Sequence, residues 1–336
     1  MKKIIILLLL IFLAAMAAGG YFLHKYSATK SLGKINFGYE AWIGVMPYVV
    51  AYEKGFFDEQ GLEVELIYEE SYDQEIAHLL SGRVDFIGDF ALVDVVRSVS
   101  EGNDLKVVLA TDYSNGGDGI AARKNLKEIK DLRGKKVAVE KDTLSEYLLY
   151  DALKKNGLSL ADVSEINLSA PEAAQAFIDG KVDAAVTYEP DFTKAIEQGG
   201  GWRLYTSAQS LGLITDALTF RADYVENNPE KVIAVIKAYI KAIDFVRAQP
   251  EEAYRISAKY FNLTPTDLKK QIAGIKFLTK ADNLEAFNYQ TSLDSLHGAI
   301  MRANSYLLES KTIKNKIDST DILMPRFIRD IEDNIN

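Results

Sequence analysis

Leu79-Leu80-Ser81-Gly82-Arg83-Val84-Asp85-Phe86-Ile87 lines up, 98 residues on, with Phe177-Ile178-Asp179-Gly180-Lys181-Val182-Asp183-Ala184-Ala185. Each stretch reads as a helix end, a glycine, a basic residue and a strand opened by Val-Asp. Glycine suits the left-handed conformation that closes a helix. An interval of 98 residues is too long for a solenoid repeat. Two similar α/β halves account for it, provided that both copies sit in βαβ surroundings.

They do. Around the first copy, Ile35–Tyr39 reads as a strand and Met46–Gln60 as a helix ending at Gly61. Leu62–Tyr68 is the next strand, and Ser71-Tyr72-Asp73-Gln74 is a capping box opening a helix. Val84–Ile87, Ala91–Ser100 and Leu105–Ala110 follow as strand, helix and strand. Around the second copy the order is the strand Lys136–Val139, the helix Thr143–Asn156, the strand Val163–Leu168, the helix Pro171–Asp179 and the strand Asp183–Thr187. Such alternation builds a mainly parallel sheet. The run Asn115-Gly116-Gly117-Asp118-Gly119 lies between the halves and reads as a crossover. Leu213–Arg221 is strand-like. The rest is helical, with prolines at first helical positions: Pro229–Ala248, Glu251–Tyr260, Pro265–Ile275 and Ser292–Lys311. Four helices without strands read as cladding for the first half.

The chain has 336 residues, no cysteine, three histidines and a net charge of −9. The four lysines before Ser31 leave the remainder at −13. So acidic a body argues against a nucleic-acid partner. The absence of cysteine excludes thiol catalysis, disulfides, a cysteine-based zinc site and a lipid anchor on cysteine. No nucleophile elbow, P-loop, dinucleotide fingerprint or zinc-protease motif occurs, and no cofactor or metal is expected. Lys2 and Lys3 precede Ile4–Leu23, twenty residues without a charge. As a helix these span about 30 Å, enough to cross a bilayer. Leading lysines keep the N-terminus in the cytoplasm and place the body outside. Length favours an uncleaved anchor, while Ala15-Met16-Ala17 offers a signal-cleavage site. Residues 1–30 therefore stand outside the fold.

In open α/β sheets, ligands bind beyond the carboxyl ends of the strands. Here those ends carry Glu40 and Trp42, Asp89 and Phe90, Asp112 and Tyr113, Glu140 and Thr143, Tyr188 and Glu189, and Asp216. Aromatic and acidic residues recur. Together they suit an organic amine or a polar nitrogen heterocycle, through stacking, cation–π attraction and charge-assisted hydrogen bonds. Singly, each acid could equally cap a helix. Thr143-Leu144-Ser145-Glu146 fits a capping box, and its crowd of acids disfavours an anion there.

Gly38-Tyr39-Glu40-Ala41-Trp42, Pro47-Tyr48, Glu53-Lys54-Gly55-Phe56-Phe57 and Gly61-Leu62-Glu63-Val64 resemble the opening of substrate-binding proteins of the nitrate/sulfonate/taurine type, which include binders of thiamine pyrimidine precursors. Gly82-Arg83-Val84-Asp85, Leu132–Val139, Gly180–Ala185 and Glu189-Pro190 extend the resemblance to about Ala248. It implies a type II periplasmic-binding-protein fold. One lobe would hold residues 31–117 and 218–336 and the other 118–217, joined by two crossover strands. It also implies a small-molecule ligand in the cleft, an ABC permease as partner and a monomer. The loops at Trp42, Asp89-Phe90 and Asp112–Asp118, the helix start at Thr143 and Ser145, and Tyr188-Glu189 would line the cleft. The acids around Thr143 and the scarcity of Arg or Lys at strand ends depart from the anion-binding members. Three alternatives stand beside an amine or pyrimidine binder. They are an anion binder of the same family, a biosynthetic enzyme of this fold (thiamine-pyrimidine or menaquinone type) and a membrane-tethered sensor.

Overall fold

The computed structural model describes residues 30–292 and 294–333. The expected helix Ile4–Leu23 lies outside them. Among the described residues no helix is long and apolar enough to cross a membrane.

Eleven strands form two sheets among the described residues. The first holds β1 (Gly33–Tyr39), β2 (Leu62–Tyr68), β3 (Phe86–Ala91), β4 (Leu105–Ser114), β10 (Thr215–Arg221) and β11 (Ile275–Phe277), in the order β11-β4-β10-β3-β1-β2. The second holds β5 (Asp118–Ala122), β6 (Lys136–Val139), β7 (Ser164–Asn167), β8 (Ala184–Tyr188) and β9 (Trp202–Thr206), in the order β7-β6-β8-β5-β9. β1 pairs in parallel with β2 and β3, and β6 with β7 and β8. Each trio is flanked by an antiparallel strand from across the molecule's midline, β10 in the first sheet and β5 in the second.

The repeated motif marks equivalent places. Phe86 opens β3 opposite Phe37 of β1, and Ala184 opens β8 opposite Val137 of β6. The aspartate before each strand has a job. Asp85 Oδ2 accepts from the Asn36 amide at 2.7 Å, and Asp183 Oδ2 from the Lys136 amide at 2.9 Å. Each thereby satisfies a backbone donor at the start of the neighbouring strand. Gly82 and Gly180 adopt φ of 80° and 77° as their helices end.

Chain passes between the sheets at Asn115–Gly117 and at Leu211–Ile214. Thr215, Asp216 and Ala217 already belong to β10 and to the first sheet. At the first crossing, Gly274 O accepts the Asn115 and Gly117 amides at 2.8 and 3.0 Å. A Cβ on Gly117 would lie 2.8 Å from Trp42 Cη2, so the crossing passes directly against that ring.

Several elements differ from the sequence reading. The helix expected over Met46–Gln60 is two, Met46–Glu53 and Phe56–Glu59, because Gly55 takes φ of 70° between them. The strand β11 interrupts the helical C-terminal region and extends the first sheet at β4. A three-residue strand carries too short a pattern to be told from a helix end. The region also holds the helix Lys280–Ala286, and the second half holds the helix Asp191–Gly199, neither of which was expected.

Candidate functional site

Glu40 and Trp42 follow β1, Asp89 lies within β3, Asp216 within β10, Asp118 begins β5 and Tyr188 ends β8. Strand polarity therefore brings these six together between the sheets, where they line one cavity with Tyr72, Leu144 and Ile214. The space left between them is small, about 10 Å³.

The walls are fastened by their own polar atoms. Trp42 Nε1 donates to Asp216 Oδ2 at 3.0 Å, and Tyr188 OH to Glu40 Oε1 at 2.7 Å. The Trp42 and Tyr188 rings meet edge to face at 5.6 Å. Tyr72 OH donates to Asp94 Oδ2 at 3.2 Å and accepts the Ala91 amide. Asp94 Oδ2 also accepts the Leu144 amide at 3.1 Å, so an acid of the first half caps a helix of the second. On the outside, Tyr306 OH donates to Glu146 Oε2 at 2.8 Å and its ring stacks on Tyr147 at 4.7 Å. The halves are thus closed on each other.

Behind the lining stand further buried acids. One carboxylate oxygen each from Glu40, Glu75 and Asp89 lies within 4.8 Å of the others, close enough to share an ion. Asp112 sits beside Asp216 on the paired strands β4 and β10. Burial, then the facing carboxylates, holds Glu40, Glu75, Asp112 and Asp216 well above the usual carboxylate range. Burial raises Asp89 and Asp118 each to about 7. It does the same to Asp94, although Arg97 pulls the other way. Glu75 and Asp89 face each other as a carboxyl–carboxylate pair. The Tyr48 hydroxyl, fully buried and without a hydrogen-bond partner, is pushed up by burial and by the charges of Asp89 and Asp112. No lysine or arginine lines the cavity.

The remaining sequence candidates lie elsewhere. Phe90 is buried in the first core against Tyr72. Tyr113 points away, its hydroxyl donating to Asp294 O at 3.0 Å. Thr143 accepts the Ser145 amide as a helix cap, and Glu146 accepts the Asp142 amide. Ser145 is buried in that first turn. Glu189 is engaged by Arg203 at 2.7 Å and by Thr193. Glu140 lies outside the lining; burial and the charges of Asp73 and Asp94 raise it to about 8. Asp112 stands one layer behind. Tyr72 and Glu75 were not singled out in the sequence. Both sit on the helix opened by Ser71, whose capping box was legible but whose inner face was not.

Glu40 and Tyr188 also border a larger groove of about 850 Å³ between the halves, lined further by Tyr68, Asp191, Arg203 and Gln271. Their mutual hydrogen bond therefore stands between that groove and the inner cavity.

Two α/β halves joined by two crossings and closed over a carboxylate-lined cavity define a bilobed binding-protein fold. Solved structures share it. The alkanesulfonate-binding protein SsuA from Xanthomonas axonopodis pv. citri, bound to MOPS, matches with a TM-score of 0.73 at 17% identity, over 88% of this chain and 99% of that one. The desulfurization enzyme DSZB matches with a TM-score of 0.66 at 13% identity, over 90% and 100%. In sequence, a protein of Bacillus subtilis (strain 168) named for binding aliphatic sulfonates is 28% identical over 307 residues, 89% of this chain and 88% of that protein. Residues 42–253 match the family described as NMT1/THI5 like, and the chain belongs to it.

Proposed function

We propose that this chain is a solute-binding protein of an ABC importer, working in the periplasm or at the cell exterior, that captures a small nitrogen-containing cation (an amine or a pyrimidine-like base) between its halves. The observation that carries this reading is a cavity walled by Trp42, Tyr72 and Tyr188 and lined by Glu40, Asp89, Asp118 and Asp216, with no basic residue among the lining. Aromatic faces and carboxylates both attract cations and repel anions. The two lobes would hinge at the crossings Asn115–Gly117 and Leu211–Ile214. Ligand would stabilise the closed state by its extra contacts there. A permease would receive the ligand. Residues 4–23 would tether the protein to the inner membrane, with a cleaved signal as the alternative.

The sulfonate reading is favoured by the names of the relatives. Against it, a sulfonate in this cavity would meet four acids and no basic residue. The enzyme reading is favoured by the shared fold with DSZB. Against it, the lining holds no serine, threonine, cysteine, histidine or basic residue beside its acids. Thermal shift and solution scattering with amines, aminopyrimidines, taurine and MOPS separate these readings. Stabilisation and compaction by cations, and by neither sulfonate, is the expected result. Stabilisation by the sulfonates alone overturns it, and turnover of any bound compound replaces it with the enzyme reading.

A further inference from the structure

The acceptors around the cavity outnumber the donors, and this narrows the class of cation; the inference rests on the cation reading above. Among the described residues neither oxygen of Glu75, Asp89 or Asp112 has a hydrogen-bond donor beyond the proton that the Glu75–Asp89 pair shares, nor does Asp118 Oδ2 or Asp216 Oδ1 have one. All five side chains are at least nine-tenths buried. They converge from different elements: a helix, three strands of the first sheet, and β5 of the second. The donors of the lining itself are already engaged, and behind it the Tyr48 and Thr111 hydroxyls have no hydrogen-bond partner. Trp42 Nε1 is on Asp216, Tyr188 OH on Glu40 and Tyr72 OH on Asp94. The neighbouring guanidiniums are ion-paired, Arg97 with Asp94 and Glu101, its Nε without a hydrogen-bond acceptor, and Arg203 with Glu189. Buried acceptors without donors are costly, so in a native site something supplies the donors.

We propose that the ligand is a compact cation with several N–H donors radiating from one charged centre: a primary ammonium, an amidinium or a guanidinium. An ammonium offers three donors and a guanidinium a planar fork of them. A quaternary ammonium offers none and would depend on aromatic faces, but Trp42 and Tyr188 meet edge to face at 79° instead of forming a box. A divalent ion on Glu40, Glu75 and Asp89 would leave Asp118 Oδ2 and Asp216 Oδ1, which lie outside that trio, without a donor. The narrow cavity, about the space of one water, favours a ligand of few atoms.

The experiment is calorimetry on the full-length chain in mild detergent, treated with EDTA, at pH 8. The probes are methylammonium, acetamidinium and guanidinium, their counterparts tetramethylammonium, tetramethylacetamidinium and hexamethylguanidinium, 4-aminopyrimidine, CaCl2, MgCl2 and taurine. One of the three N–H-rich cations binds tightest, and its permethylated counterpart binds at least about 100-fold more weakly, because a site built for N–H donors rejects analogues lacking them. Asp89→Asn and, in the other half, Asp118→Asn each weaken that cation at least about tenfold. Permethylated cations binding within about threefold overturn the donor inference and leave the cation reading standing. So does tightest binding by a divalent metal or by 4-aminopyrimidine. Binding of taurine alone, or of nothing, overturns both.

Discussion

Glu40, Glu75, Asp89, Asp112 and Asp216 approach the cleft from the first sheet and its helices, whereas the second half sends Asp118, Tyr188 and Leu144. The repeat in sequence made two similar scaffolds, but the chemistry laid on them is unequal. A cation meeting the first half alone finds most of the acceptors it will ever have. Closure then adds one carboxylate and two neutral contacts. Affinity should therefore reside in the first half, and the second should set how long the ligand stays.

The sharpest way to break this division is a pair of variants. Asp89→Asn removes a buried charge from the first half and should lower affinity for the bound cation by roughly 10- to 100-fold, the range for a hydrogen bond to a charged group. Tyr188→Phe removes one neutral donor from the second half and should cost about three- to tenfold. Calorimetry on both reads the ratio. A larger loss from Tyr188→Phe would reverse the assignment of roles.

Next in size is the pH response. Asp89 and Asp118 titrate near 7 in the folded protein, against 3.8 for a free aspartate. The folded state thus holds more protons than the unfolded chain between about pH 4 and pH 7. Their contribution to stability is fully present below that window and is lost as pH rises through 7. Ligand-free protein should melt lower at pH 8 than at pH 5. Affinity for a cation should run the other way, rising as the carboxylates ionise, with protons released on binding. Asp112→Asn should flatten the fall in melting temperature. A ligand-free protein more stable at pH 8 than at pH 5 would show that these acids are already paired.

How much of this was legible in sequence follows from the same physics. Strand ends could be read off because hydrophobic runs stop there, so Glu40, Trp42, Asp89, Tyr188 and Asp216 were found, while Asp118 came only with the resemblance, in the 112–118 loop. Phe90 and Tyr113 belonged to the same strand ends, but side chains alternate across a sheet, and one step along β3 or β4 turns a residue to the other face. Tyr72 and Glu75 were missed because only the packing of their helix decides which side meets the cleft. Glu75, a charged residue within that helix, is fully buried. The strand β11 was missed because three residues make no periodicity.

A smaller effect tests closure itself. Tyr306 belongs to the helix Leu296–Glu309, which packs on the first half's helix Leu92–Ser100 and reaches across to Glu146. Tyr306→Phe deletes that bond and keeps the stacking on Tyr147. A bond of about 1 kcal/mol shifts the open–closed balance roughly fivefold. Scattering should show a larger radius of gyration without ligand, and the ligand should dissociate faster with little change in its association rate. An unchanged radius would mean that the inner contacts alone hold the halves.

The smallest effect lies at the repeat itself. Gly82 and Gly180 occupy equivalent helix ends with nearly equal φ, so an alanine at either takes the same left-handed strain, about 1–2 kcal/mol. Their surroundings differ. Nothing lies within 4 Å of a Cβ on Gly180, whereas a Cβ on Gly82 would touch the Arg221 guanidinium at 3.4 Å. That guanidinium donates to Leu79 O at 2.7 Å and Val84 O at 3.1 Å, tying β10 to the end of the helix before β3. Both Gly180→Ala and Gly82→Ala should therefore lower the melting temperature by a few degrees through backbone strain, because the Cβ at Gly82 only adds an ordinary van der Waals contact with Arg221. Both glycines precede their strands, at the opposite end from Asp89 and Tyr188. Neither variant should change affinity, and a change in either would mean that the rear of that sheet is coupled to the cleft.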